Sequence, residues 1–159
     1  MSAEHRILLT RAGYDRIYDE LERLRSVQRR EVAARIRDSK QFGEFAENAE
    51  YEDAKTEQAF VEGKILDLKR IIQLSEILEP GDIPSDYVGI GSHVTVKDMD
   101  EDEEWEIMIV GSVESDPDEN RISNESPIGE ALMDKRVGEI AKIRIPDGVI
   151  RYRVEKISA

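Results

Sequence analysis

The sequence predicts an α+β protein in two parts: an N-terminal antiparallel helical hairpin over residues 1–79 and a small mixed α+β domain over residues 80–159. Three observations lead to that reading. Between Arg11 and Leu78 there is no proline and only Gly13, Gly43 and Gly63, while the good helix formers Glu, Arg, Ala and Leu are dense. Pro80-Gly81-Asp82-Ile83-Pro84-Ser85 then interrupts the helical pattern. Beyond it the apolar residues recur with a period of 2, the spacing of strands.

Each element follows from its own spacing. In the first arm Tyr14, Ile17, Leu21 and Leu24 recur at intervals of 3, 4 and 3, and the apolar face continues less regularly through Val27, Val32 and Ile36. In the second, Ala54, Gln58, Val61, Ile65, Leu68 and Ile72 follow at 4, 3, 4, 3 and 4. These are coiled-coil seams. Thr10 is placed to cap the first arm, and Gly43 supplies the permissive backbone at which the chain reverses. An arm of about 30 residues at about 1.5 Å per residue reaches about 45 Å, longer than a small domain is wide, which puts residues 41–50 at the far end of a projecting hairpin. In the second part His93–Lys97, Glu104–Val110, Arg121–Ser123, Glu139–Ile145 and Val149–Ile157 read as strands, the last two joined by a turn at Pro146-Asp147-Gly148. Ser126-Pro127 followed by Ile128–Met133 reads as a short helix with Ser126 as its cap and Pro127 in its first turn.

Composition narrows the function. The chain has 159 residues and a formal net charge of −13. Residues 1–40 hold ten Lys/Arg against seven Asp/Glu, residues 41–80 four against ten, and residues 81–159 nine against nineteen, so only the first segment leans basic. A chain this acidic gains little from neutralising phosphates, so strong autonomous binding of free DNA or RNA is not expected. There is no cysteine, which excludes a disulfide framework, a thiol nucleophile and thiolate zinc sites. No apolar run has the length of a membrane span, and Met1–Arg6 lacks the apolar core of a signal peptide, so a cytoplasmic protein is expected.

Candidate sites are few. Asp98-Met99-Asp100-Glu101-Asp102-Glu103-Glu104 begins like a calcium loop, but the glycine and the closing glutamate of that loop are replaced by Glu103 and Ile109, so it reads as a solvated connection between strands. Asp116–Asn120 reads as a turn, and His93 has no second histidine nearby. The segment Gly43-Glu44-Phe45-Ala46-Glu47-Asn48-Ala49-Glu50-Tyr51 is different. If the second arm starts near Gly43, Glu44 and Glu47 share one face of its first turn, where they either favour the helix dipole or handle a cation. Phe42 and Phe45 have little to pack on at the end of a thin hairpin, which points to burial against a partner. Two carboxylates are too few ligands for Mg²⁺ without help from a second site.

This same segment, with Glu57-Gln58 and Glu62-Gly63 after it, closely resembles the tip of the Gre-type bacterial transcript cleavage factors, the GreA/GreB family. The resemblance extends over the chain through Leu9-Thr10-Arg11-Ala12-Gly13, Ser126-Pro127-Ile128-Gly129 and Val137-Gly138-Glu139, and lies nearer the GreA branch because basic residues near the tip are few. It implies a coiled-coil hairpin followed by an FKBP-like domain. It implies bacterial RNA polymerase as the partner, with the hairpin in the secondary channel and the second domain docked on the outer rim, and the RNA 3′ end of a backtracked complex as the target. The family's two tip acids match Glu44 and Glu47; Glu44 stands where the family usually has aspartate. Together they would help hold a Mg²⁺ shared with the polymerase active site, with no tightly bound cofactor of the chain's own. Lys40 and Lys55 match the family's basic patch and would contact the RNA, although a helix lysine is equally well read as solvated. Phe42, Phe45, Asn48 and Tyr51 complete the tip contacts. The chain would then stimulate the endonucleolytic activity of polymerase without being an enzyme itself, and act as a monomer. The alternative is a family member that occupies the channel and inhibits polymerase without stimulating cleavage. An FKBP-like fold also raises peptidyl-prolyl isomerisation, for which the second domain offers only Tyr87, Trp105 and Tyr152 as aromatics.

Overall fold

The computed structural model describes residues 6–40 and 49–159. Strand β1 (Ile7–Thr10) leads into helix α1 (Arg11–Arg23), a π-helical turn (Leu24–Gln28) and helix α2 (Arg29–Lys40). Helix α3 (Ala49–Leu74) returns and ends in strand β2 (Ser75–Leu78). Then come β3 (His93–Asp98), β4 (Glu104–Val110), β5 (Arg121–Ser123), α4 (Pro127–Leu132), β6 (Ile140–Ile145) and β7 (Gly148–Ser158). The contacts group the described residues into two compact units, one within Tyr14–Ser75 and one of Arg6–Gly13 with Glu76–Ala159.

In the first unit the seam residues Ile17, Leu21, Leu24, Val32 and Ile36 of one arm and Ala54, Val61, Ile65 and Leu68 of the other are all buried. Val27, expected on that apolar face, is 45% exposed. It lies within a π-turn, in which the amide of Arg29 donates to the carbonyl of Leu24, five residues back. An uninterrupted repeat after Leu24 would bury residues 31, 35 and 38, yet the buried ones are Val32, Ile36 and Ser39. The wider turn absorbs one extra residue and so returns the seam to α3. Ion pairs flank the seam and fix its antiparallel sense: Lys64 Nζ lies 2.7 Å from Glu20, Arg29 Nε 2.8 Å from Glu62, and Arg35 bonds Glu57. Glu62 is held below the usual carboxylate range chiefly by its hydrogen bond to Arg29.

The second unit is built on a five-stranded sheet in the order β5-β4-β3-β7-β6. Its neighbours are antiparallel except β4 and β5, which run parallel. A bulge interrupts the β3–β7 pairing between Thr95 and Val96. One face carries the core, with Val94, Val96, Ile107, Ile109, Ile143, Tyr152 and Val154 buried and Ile128 and Ala131 of α4 packed on it. The strand, turn and short-helix expectations hold to within a residue or two. Ser126 Oγ accepts the Gly129 amide at 3.1 Å and donates to the Ser123 carbonyl at 2.6 Å, with Pro127 in the first turn. Gly129 is required there, since a Cβ would stand 1.9 Å from the Ser123 carbonyl oxygen.

One expectation is corrected. Helix was expected as far as Leu78, but α3 ends at Leu74 and Ser75–Leu78 pairs with β1 as a two-stranded sheet. Pairing with Ile7–Thr10 satisfies backbone groups that one more helical turn would otherwise have to satisfy, and periodicity within the arm carries no sign of it. Thr10 is the helix cap as expected, its Oγ1 accepting the Gly13 amide at 3.0 Å. It also meets Glu114, a carboxylate only 5% exposed, which accepts the Thr10 amide at 2.9 Å and the Thr10 hydroxyl at 2.6 Å.

Candidate functional site

The site predicted from sequence lies where the two arms of the hairpin meet. The arms are packed up to that point, since Ile36 and Ser39 in the last turns of α2 and Ala54 in the second turn of α3 are all buried. Residues 41–48 follow α2 and precede α3 in the chain. Glu44, Glu47, Phe42, Phe45 and Asn48 lie outside the described residues.

The described flanks can be placed. Lys40 ends α2 and is exposed. Tyr51 is half-buried in the first turn of α3, and Lys55, four residues on, puts its ammonium 6.0 Å from the Tyr51 ring centroid. This is the i, i+4 spacing that stacks neighbours on one helix face, and it gives Lys55 a local aromatic contact. Glu50 and Glu52 also occupy the first turn of α3, where the helix dipole favours acids. The structure thus brings Tyr51 and Lys55 together and leaves Lys40 on the opposing arm. Glu57 and Glu62, singled out by resemblance alone, have a physical role as partners of Arg35 and Arg29 across the hairpin.

The competing acidic segments are turns. Asp98 Oδ1 accepts the amides of Asp100 and Glu101 at 2.9 and 3.1 Å, and Lys97 pairs with Asp102 at 2.9 Å. That hydrogen bond holds the Asp102 carboxyl below its ordinary range and raises the Lys97 ammonium. Pro117–Glu119 forms a single 3₁₀ turn closed by Asn120 at φ 59°. Among the described residues no group of three or more His, Cys, Asp or Glu side chains is arranged to hold a metal. The cleft lined by Pro127, Glu130, Ala131, Lys142, Ile143 and Arg144 contains no aromatic side chain. Trp105 and Tyr152 instead pack on each other at 5.8 Å, with Tyr152 buried in the core. Among the described residues no helix is long and apolar enough to cross a membrane.

Glu114 is the residue that sequence reasoning missed. Its burial depends on Thr10, 104 positions away, and no local pattern marks an acid that will face a distant amide. Gly13 is the one available sign, because a Cβ there would fall 1.9 Å from the Glu114 carboxylate.

The chain was compared with known proteins. Residues 7–77 match the family described as transcription elongation factor, N-terminal, and residues 83–159 match transcription elongation factor, GreA/GreB, C-term. Transcription elongation factor GreA of Acetivibrio thermocellus is 45% identical over 157 residues, covering 99% of each chain. GreA of Clostridium botulinum is 43% identical over 158 residues, again covering 99% of each. Among solved structures, the GreA factor homolog 1 (Gfh1) protein of Thermus thermophilus is 30% identical and aligns over 98% of this chain and 100% of its own, at a TM-score of 0.45. With both halves matched in order and relatives aligned end to end, this chain belongs to the GreA/GreB family of transcription elongation factors.

Proposed function

We propose that this elongation factor binds bacterial RNA polymerase, inserts the end of its hairpin into the secondary channel and stimulates cleavage of backtracked RNA by the polymerase's own active site. The observation that supports this best is the packing of the two arms as far as Ser39 and Ala54, the described residues that flank the acidic segment 41–48 in the chain. At about 1.5 Å per residue, α3 alone spans about 39 Å.

In this reading Glu44 and Glu47 act at the end of the hairpin. Carboxylates are the hard oxygen donors that Mg²⁺ prefers, and two of them leave most of an octahedral shell to polymerase, RNA and water. Mg²⁺, when bound, supplies charge stabilisation and water activation for phosphodiester hydrolysis. Glu47 and Glu44 position the attacking water and accept its proton. Phe42 and Phe45 bury against the channel wall and keep the acids from wandering. Lys40 and Lys55 face the phosphates of the displaced RNA, and Asn48 and Tyr51 hold the start of the second arm. The hairpin delivers the acids, while the C-terminal domain holds the factor on the polymerase. The chain acts as a monomer and carries no cofactor of its own.

The test is addition of the purified protein to stalled, backtracked elongation complexes carrying 5′-labelled RNA. Shortened labelled RNA that polymerase then re-extends is the expected result. Inhibited elongation with full-length RNA retained would assign the chain instead to the channel-blocking alternative.

A further inference from the structure

We propose that the outward side of the first arm, marked by Arg30 and Arg37, is a docking ridge for an acidic helical surface of the polymerase. The inference rests on the functional reading above and adds one contact, with its chemistry, to it.

The cations of this arm fall into two sets. Arg25 pairs with Glu22 at 3.2 Å, Arg29 with Glu62 at 2.8 Å, and Arg35 with Glu57. Arg30 and Arg37 are exposed and form no salt bridge with any described residue. In a chain with 36 acids their isolation follows from what surrounds them. One turn to either side of Arg30 stand Ser26, Val27, Ala33 and Ala34. Arg37 has, among the described residues, Ala33, Ala34 and Lys40. None of these is acidic, so no neighbour on the helix surface can neutralise either guanidinium. Arg23 stands apart from these two, with Asp19 and Glu20 one turn back and the π-turn between it and Arg30. The arm thus keeps a pair of uncompensated positive charges on a molecule whose net charge is −13.

The geometry selects the occupant. Arg30 and Arg37 are one heptad apart, about 10.5 Å along the helix. Ala33 and Ala34, between the cations, are small and let another backbone come close. A helix lying nearly parallel to the arm, with carboxylates one heptad apart, matches that spacing. Duplex nucleic acid carries one charge per about 1.7 Å of axis, far denser than this pair, and the acidic remainder of the chain repels it. Guanidiniums also suit carboxylates in particular, because they offer paired donors in a fixed fork.

The experiment compares wild type with R30E/R37E and R30Q/R37Q in the full-length chain, after circular dichroism has shown equal helix content. Binding to polymerase free of nucleic acid is measured over a salt series, and single-turnover cleavage in backtracked complexes at saturating factor. The charge reversal should weaken binding to nucleic-acid-free polymerase about tenfold, mostly through association, and flatten its salt dependence. The glutamine variant should lose less, and cleavage at saturation should be unchanged in both. Equal binding by wild type and variants overturns the ridge. A defect seen only when RNA is present would make the ridge a nucleic-acid contact and also overturns the proposal. So does loss of a wild-type self-associated species on sedimentation, because the occupant would then be a second copy. Failure of wild type itself to bind polymerase refutes the functional reading instead.

Discussion

At the scale of single residues, the two halves of the chain carry different kinds of constraint. Gly129 and Glu114 are fixed by what touches them. A Cβ at Gly129 would meet the Ser123 backbone at 1.9 Å, and backbone cannot swing aside as a side chain does. Gly129→Ala should therefore cost about 2 kcal/mol in a denaturant titration, the usual penalty of forced overpacking. Glu114→Ala strips the buried Thr10 amide and hydroxyl of their acceptor and should cost about 2 kcal/mol. Glu114→Gln, which retains an acceptor oxygen, should recover part of that loss. Glu44 belongs to the other kind, since the role proposed for it is chemical. Glu44→Asp should keep or raise the cleavage rate by restoring the family's usual length, whereas Glu44→Gln should lower it severely, with a defect that shrinks as Mg²⁺ is raised. A glutamine variant matching wild type at low Mg²⁺ would return Glu44 to a helix-dipole role.

At the scale of elements, the π-turn accounts for the irregular stretch of the first seam. Removing one exposed residue from it, by deletion of Val27, should convert the arm to continuous α-helix, carry Val32, Ile36 and Ser39 onto an uninterrupted heptad and leave the melting temperature equal or higher. Deleting Ala33 in α2 should instead throw Ile36 and Ser39 off the seam and lower the melting temperature by several degrees. Acid should loosen the same hairpin. Glu62 has a folded pKa below its unfolded one, so its pair with Arg29 contributes stability above the unfolded value, and that contribution disappears as pH falls through the lowered one. Asp102 with Lys97 follows the same sign in the other unit. Helix content followed from neutral pH down to pH ~3 should fall at its acid end, and Glu62→Gln should remove part of that fall. These elements also show what a sequence discloses. The short helix at Pro127 was legible because cap, proline and glycine are local signals, and β3, β4 and β7 because alternation is. The strands β1 and β2 were not, since Ile7–Thr10 and Ser75–Leu78 are each four residues long and acquire their meaning only from each other. The π-turn left a trace in the broken spacing after Leu24, but only the buried positions of Val32 and Ile36 reveal its cause.

At the scale of the whole molecule, the acidic balance and the paucity of enclosed chemistry fit a factor that works inside another machine. The second unit includes Arg6–Gly13, so a fragment starting at residue 80 loses both β1 and the partner of Glu114. Such a fragment should still form its sheet and compete with the full chain for polymerase, should melt lower than that unit does in the full chain, and should not promote cleavage. The candidate site is proposed as an acidic tip because Glu47-Asn48-Ala49-Glu50-Tyr51 is a contiguous motif, of which the described residues reach only Ala49, Glu50 and Tyr51. The cross-arm ion pairs were not legible, because an arginine on a helix does not announce which acid on the other arm it meets. The central claim is that the chain supplies carboxylates to a partner's active site, and Glu47→Ala tests it most directly when cleavage rate and polymerase affinity are measured on the same backtracked complexes. The account predicts that stimulated cleavage is lost while affinity stays within about twofold, since one tip side chain makes little of the total contact. Cleavage at the wild-type rate, with affinity intact, would contradict it.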